Sequence, residues 1–246
     1  RNCMYGAVTG DDNVGVGSYS FTVLSSGGSN IAMGTYSLDA LTTGSNNIGI
    51  GHAAASGITT GSQSTAVGDG ALKDLTTADG LTAFGFRALE NVTSGGGNTG
   101  LGWYAGGALT TAALCTAVGY SALSSNSTGG YNTGIGAYAG YALTTGSENV
   151  LVGGNAGAAI TTGVSNTIVG RYSGQGQTAG IALTTGSQNT MMGRYVDTSI
   201  AAGVNQNVFG YNVSGSADNT FTFGTATTDT TCTNGGTTWS APSDIR

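Results

Sequence analysis

The chain has 246 residues, of which 46 are glycine and 7% are charged, and its net charge is −6. So few charges exclude a basic nucleic-acid surface, and the pattern is too regular for a disordered chain. There is also no apolar run of the about 18 residues that a membrane-spanning helix requires, so membrane insertion is not expected.

Residues 1–12 contain a shortened Asn2-Cys3-Met4-Tyr5-Gly6 unit and read as a leading partial coil. The abrupt start at Arg1, without a basic and apolar leader, reads as that of a processed or partial product. Over residues 13–218 a glycine recurs every 17 residues, at Gly17, Gly34, Gly51, Gly68, Gly85, Gly102, Gly119, Gly136, Gly153 and Gly170, then at Gly193 and Gly210 after an insertion near 174–179. The units start at Asn13, Asn30, Asn47, Ser64, Leu81, Asn98, Cys115, Asn132, Asn149, Asn166, Asn189 and Gln206. Such self-similarity describes one supersecondary unit that cannot bury its apolar face alone and stacks on its neighbours.

A 17-residue unit is shorter than the about 20 to 29 residues of a β/α horseshoe repeat, but it suffices for short strands and tight turns. Glycine at position five of the unit, and near position fifteen (Gly27, Gly44, Gly61, Gly95, Gly129, Gly146, Gly163, Gly186, Gly203), marks where the coil turns or backbones approach closely. The expected fold is all-β, a parallel β-solenoid or β-roll of about twelve 17-residue coils. Pro242 lies outside the repeats, as ladder hydrogen bonding requires. Residues 219–246 leave the pattern and read as a cap or connector, with Asn219 to Gly224 alternating like one further strand.

Position four is apolar in every copy (Val16, Met33, Ile50, Val67, Phe84, Leu101, Val118, Ile135, Val152, Val169, Met192, Phe209) and reads as a buried ladder. Position three then points the other way. It is small in eight copies, at Gly15, Ala32, Gly49, Ala66, Ala83, Gly100, Ala117 and Gly134, and large in four, at Leu151, Ile168, Met191 and Val208. An outward column of that kind predicts self-association into a homotrimer; the alternative is that position three also lies inside a wide coil.

The Asn132–Gly136 stretch (Asn-Thr-Gly-Ile-Gly), the Ser64–Gly68 stretch (Ser-Thr-Ala-Val-Gly) and the Ala-Leu-Thr-Thr-Gly-Ser segments resemble repeats of long phage tail fibres. They are also similar to the heads of trimeric autotransporter adhesins, which are β-rolls assembled in threes with a shorter repeat. The final Trp239-Ser240-Ala241-Pro242-Ser243-Asp244-Ile245-Arg246 resembles the junction into the intramolecular chaperone of endosialidase-type phage fibres. That resemblance implies an autocleavage junction between Ser243 and Asp244. Together these resemblances imply an extracellular fibre, most readily a phage tail fibre on a virion, attaching to a cell-surface glycan or protein receptor. A bacterial surface adhesin is the alternative.

Candidate chemistry is sparse, and neither catalysis nor a cofactor or metal is expected. His52 is the single histidine, and Cys3, Cys115 and Cys232 are odd in number and far apart. The Gly-x-Gly runs at Gly15, Gly49, Gly100 and Gly134 lack the third glycine of a dinucleotide fingerprint. Asp69, Asp74 and Asp79 have no calcium-loop spacing and, with Lys73 among them, read as a solvated edge.

Aromatic residues fall in register, with Tyr19, Tyr36, Tyr104, Tyr138, Tyr172 and Tyr195 at position seven and Phe86, Trp103, Tyr120 and Tyr211 at position six. Two readings stand for them: structural stacking between coils, or glycan contact through Tyr104, Tyr138, Tyr172 and Tyr195 with Gln175 and Gln177 of the insertion. Thr-Thr pairs such as Thr42-Thr43 and Thr144-Thr145 also recur in register. Ice binding is a further alternative, but adjacent strand residues face opposite ways and leave a single outward rank.

Overall fold

The computed structural model describes residues 3–4, 9–176, 181–225 and 228–236. The fold is an all-β solenoid of about twelve turns with coils of about 17 residues. It divides into two compact units, residues 1–128 and 129–246.

The first unit contains β1 (Val14–Val16), β2 (Ile31–Met33), β3 (Ile48–Ile50), β4 (Thr65–Val67), β5 (Thr82–Phe84), β6 (Thr99–Leu101) and β7 (Thr116–Val118). Each pairs in parallel with the next in strict register, as in Gly49↔Ala66 and Ala66↔Ala83. Ahead of β1, the N–H of Met4 reaches the Ser20 carbonyl at 3.0 Å, so this segment stacks on the first full coil.

The second unit contains β8 (Thr133–Ile135), β9 (Val150–Val152), β10 (Thr167–Val169), β11 (Thr190–Met192), β12 (Asn207–Tyr211), β13 (Thr220–Thr225) and β14 (Thr228–Thr233). The parallel register survives the insertion, with Ile168↔Met191 paired across it. β13 is the further strand expected after the repeats, and β14 folds back on it antiparallel, with Phe221↔Cys232 in register.

Strands β1 to β11 are three residues long because position five ends them, whereas β12 continues through Gly210. Gly51 has φ +133°, and a Cβ there would lie 2.5 Å from the Gly68 carbonyl oxygen one coil away. Position fifteen is equally closed: a Cβ on Gly44 would lie 2.1 Å from the carbonyl oxygen of Gly61. Positions seven, nine and seventeen also take left-handed backbone, and there the residues are mostly not glycine, as at Tyr36, Leu38 and Asn46. That conformation costs such residues of order 1 kcal/mol each. It turns their N–H groups along the stack: Tyr36 donates to Ser18 at 3.1 Å, Leu38 to Ala54 at 3.1 Å and Asn46 to Gly28 at 3.0 Å.

Position one supplies a second ladder. Asn30 Oδ1 accepts the backbone N–H of Asn47 at 2.9 Å, and Asn30 Nδ2 donates to the Gly44 carbonyl at 3.0 Å. The same pattern runs through Asn149, Asn166 and Asn189 in the second unit. These amides are buried, so each satisfied pair removes a desolvation penalty of about 1–3 kcal/mol.

The interior reverses the facing expected for the strands. Position three is inside, with Ala32, Ala66, Ala83 and Ala117 of the first unit and Leu151, Ile168, Met191 and Val208 of the second fully buried. Gly49, Gly100 and Gly134 are buried as well, and Gly15 is half-buried. Position four, expected to be the buried ladder, is outside. In the first unit the reason is the narrowness of the coil: leucines at positions nine and twelve, such as Leu38, Leu41, Leu72 and Leu75, already fill it. A Cβ on Gly49 would come within 3.1 Å of Leu38 Cγ, so the facing strand has room only for a small side chain.

Candidate functional site: the outer strand face and the aromatic columns

Because positions two and four share the outer face of a strand, the solenoid presents large apolar side chains to solvent in register. In the first unit Val14, Val16, Met33, Ile50, Phe84 and Leu101 are exposed, Phe84 to 54% and Leu101 to 46%. In the second unit Ile135, Val150, Met192 and Phe223 are exposed, Met192 to 49%. The residues expected to carry self-association at position three are therefore not on the surface; the continuous apolar surface column lies one residue on, at position four, while position two is mostly threonine.

The aromatic columns stack between coils. In the first unit Tyr19 and Tyr36 lie face to face at 5.0 Å, and Trp103 bridges Phe86 at 5.9 Å and Tyr120 at 4.8 Å. In the second unit Tyr172 and Tyr195 stack at 5.6 Å, and Tyr211 leans on Tyr195 at 57°. Of the tyrosines singled out for glycan contact, Tyr172 and Tyr195 are thus brought together. Tyr104 instead packs against Trp103 and over Gly107, and Tyr138 meets Tyr141 edge to face. Guanidinium groups occupy some of the rings, with Arg171 over Tyr172 at 4.5 Å and Arg194 over Tyr195 at 4.4 Å.

No protein-family model, curated protein or solved structure matches the chain.

The insertion leaves the coil just after the tyrosine column. Gln175 forms an antiparallel bridge with Ala182, and the Gly176 N–H donates to Asp197 Oδ1 at 2.8 Å. Gln177, Ser243 and Asp244 lie outside the described residues. Among the described residues no group of three or more His, Cys, Asp and Glu side chains is placed to hold a metal, and no helix is long and apolar enough to cross a membrane. His52 sits 3.4 Å from Asp69 on neighbouring coils. Cys3, Cys115 and Cys232 are not joined in disulfides.

A shallow depression of about 470 Å³ in the first unit is lined by Tyr36, Asp39, Ser56, Lys73 and Asp74 among others. Burial raises the Asp39 carboxyl above its ordinary range, against lowering hydrogen bonds from its own and the Ala40 N–H. In the second unit Asp218 is held below its ordinary range by the Val204 N–H and the Gln206 amide.

The threonine rank has a structural use. At position thirteen the hydroxyl donates to the backbone of the next coil, from Thr42 to Thr59 at 2.9 Å and from Thr144 to Thr161 at 3.0 Å. The second threonine of each pair, such as Thr43, Thr60 or Thr145, is exposed, and at Thr76-Thr77 both are. Sequence reasoning missed the asparagine ladder, although a polar residue opening so many copies of an apolar unit was its signal. It also passed over the two Gly-Arg-Tyr steps, Gly170–Tyr172 and Gly193–Tyr195.

Proposed function

We propose that the chain is a structural and adhesive segment of an extracellular fibre that self-associates as a homotrimer and serves attachment to a cell surface, as in a phage tail fibre. The observation that carries this reading is the outward apolar column at position four, exposed or half-buried in every copy. Burying a half-exposed aliphatic side chain yields about 1 kcal/mol, and the contributions accumulate along a periodic column. A second copy of the same chain presents the same column at the same coil spacing, of about 4.8 Å, so the match holds at every step. Closure in threes follows the resemblance to trimeric β-roll heads, and three copies lend avidity to weak surface contacts. A bacterial surface adhesin uses the same assembly and is the second reading. Ice binding is disfavoured because the hydroxyls at position thirteen already serve the backbone.

Light scattering on the full chain tests the assembly. The wild type is expected at three times the 24.0 kDa chain mass, and the Phe84→Asp, Leu101→Asp variant at the mass of one folded chain. A wild type that runs as a folded monomer sinks the trimer. Attachment is read separately, from binding of labelled protein to bacterial cells.

A further inference from the structure

Two of the six Lys and Arg residues of the chain, Arg171 and Arg194, occupy the same position of consecutive coils. Val169↔Met192 are strand partners, and the Tyr195 N–H bonds the Arg171 carbonyl at 3.3 Å, so the two arginines leave the backbone one coil spacing apart. Each lies over the ring of the tyrosine that follows it, and each is tied to that tyrosine's hydroxyl oxygen, Arg171 at 3.1 Å and Arg194 at 2.7 Å. The ion pairs among the described residues are His52–Asp69 and Arg87–Glu90, so neither Arg171 nor Arg194 has a carboxylate of those residues within pairing distance.

In a chain of net charge −6, two adjacent cations without a counter-charge among the described residues are an electrostatic anomaly. Their mutual repulsion at one coil spacing is of the same order as an exposed cation–π contact, so the arrangement contributes little net stability by itself. Arg87 shows the ordinary solution: it also lies over a ring, Phe86 at 5.2 Å, but Glu90 neutralises it at 3.6 Å. A planar guanidinium fork held in place by a ring and a hydroxyl is suited to a carboxylate or sulfate oxygen pair. Tyr211, half exposed and tilted against Tyr195, supplies an apolar ring face with a polar edge beside the pair.

We infer that Arg171 and Arg194 form a clip for the oxyanion of an acidic saccharide, with the sugar ring against Tyr211. Two cations on an acidic chain cannot follow a long phosphate backbone, which distinguishes this site from a nucleic-acid surface. The site rests on the reading of the chain as a surface-attachment protein and names the class of glycan that such attachment would use.

The test is calorimetric titration of the full chain at low salt with three probes: an oligogalacturonate carrying carboxylates, a heparin oligosaccharide carrying sulfates, and neutral dextran. Binding of one or both acidic probes, at least tenfold tighter than dextran, is expected, and the preferred probe decides between carboxylate and sulfate. Arg171→Ala with Arg194→Ala should weaken that binding at least tenfold, Arg171→Lys with Arg194→Lys by less, and Arg87→Ala not at all. Circular dichroism melts establish that the variants are folded. Equal affinity for dextran, unchanged affinity in the folded double alanine variant, or equally tight binding of a single-stranded DNA oligomer would each overturn the proposal. Cell binding that persists in the double alanine variant would sink this site and leave the attachment function standing; an oxyanion clip on a protein that binds no cells would do the reverse.

Discussion

The two units fill the same coil interior from opposite walls. In the first, the bulk sits at position nine and the strand contributes a small residue, as in Ala32 with Leu38, Ala66 with Leu72 and Ala83 with Leu89. In the second, the strand carries Leu151 and Ile168, and the facing positions are Gly157 and Gly174. A Cβ on Gly157 would lie 2.7 Å from Leu151 Cδ2, and one on Gly174 would lie 3.1 Å from Ile168 Cδ1. In these coils a bulky residue on one wall goes with a small one on the other, whereas the coils opening at Asn98 and Asn132 have glycine on both, Gly100 with Gly106 and Gly134 with Gly140. At Leu151 and Ile168 the enlargement of position three is therefore an exchange across one coil and not a widening gap between chains.

That exchange can be broken most severely by charge. Leu151→Asp places a carboxylate in a fully buried slot and should cost about 4 kcal/mol or more, enough to unfold the second unit. Phe84→Asp, on the outer face of the first unit, should leave the fold of a single chain intact. Thermal melts of the two variants decide whether position three or position four faces the interior; equal loss in both would contradict the assigned facing.

A smaller effect sharpens the pairing of the two walls. Gly157→Leu adds bulk against Leu151 and forces leucine into φ +56°, a combined cost of about 2–4 kcal/mol. Combining it with Leu151→Ala should recover about 1 kcal/mol or more of that loss. A double-mutant cycle from chemical denaturation measures the coupling, and strict additivity would mean that the two positions do not share one volume.

The asparagine ladder provides a third contrast, since it is continuous through Asn149, Asn166 and Asn189 but interrupted at Leu81 and Cys115 in the first unit. Asn166→Ala leaves the Asn189 N–H without its side-chain acceptor and the Gly186 carbonyl without its amide donor. The expected loss is about 1–3 kcal/mol, read as a lowered denaturation midpoint. A neutral result would mean that water replaces the amide.

The smallest effect is a matter of pH. The raised Asp39 carboxyl binds its proton more tightly in the folded chain than in the unfolded one, so stability falls as pH rises from its ordinary value of 3.8 through the folded value. Asp218 has the opposite sign, its contribution being lost as pH falls below 3.8. Asp39→Asn should flatten the slope in the melting temperature just above pH 4 without altering that at lower pH; an unchanged slope would remove Asp39 as its source.

Period, fold class and turn positions were legible in the sequence because they are properties of one unit repeated. The glycine at position five recurs wherever the next coil's carbonyl closes over it, and 17 residues leave no room for a helix. Facing was not legible. Val16-type residues at position four are larger and more apolar than Ala32-type residues at position three, and apolar size ordinarily marks the inside. In the first unit what reversed that rule was the volume already taken by leucines at positions nine and twelve, which are neighbours only once the coil has closed. The left-handed backbone at Tyr36 and Leu38 and the burial of the Asn30 and Asn47 amides were decided at the same level. Each is unfavourable in an isolated unit and becomes favourable only when an adjacent coil supplies the hydrogen-bond partner.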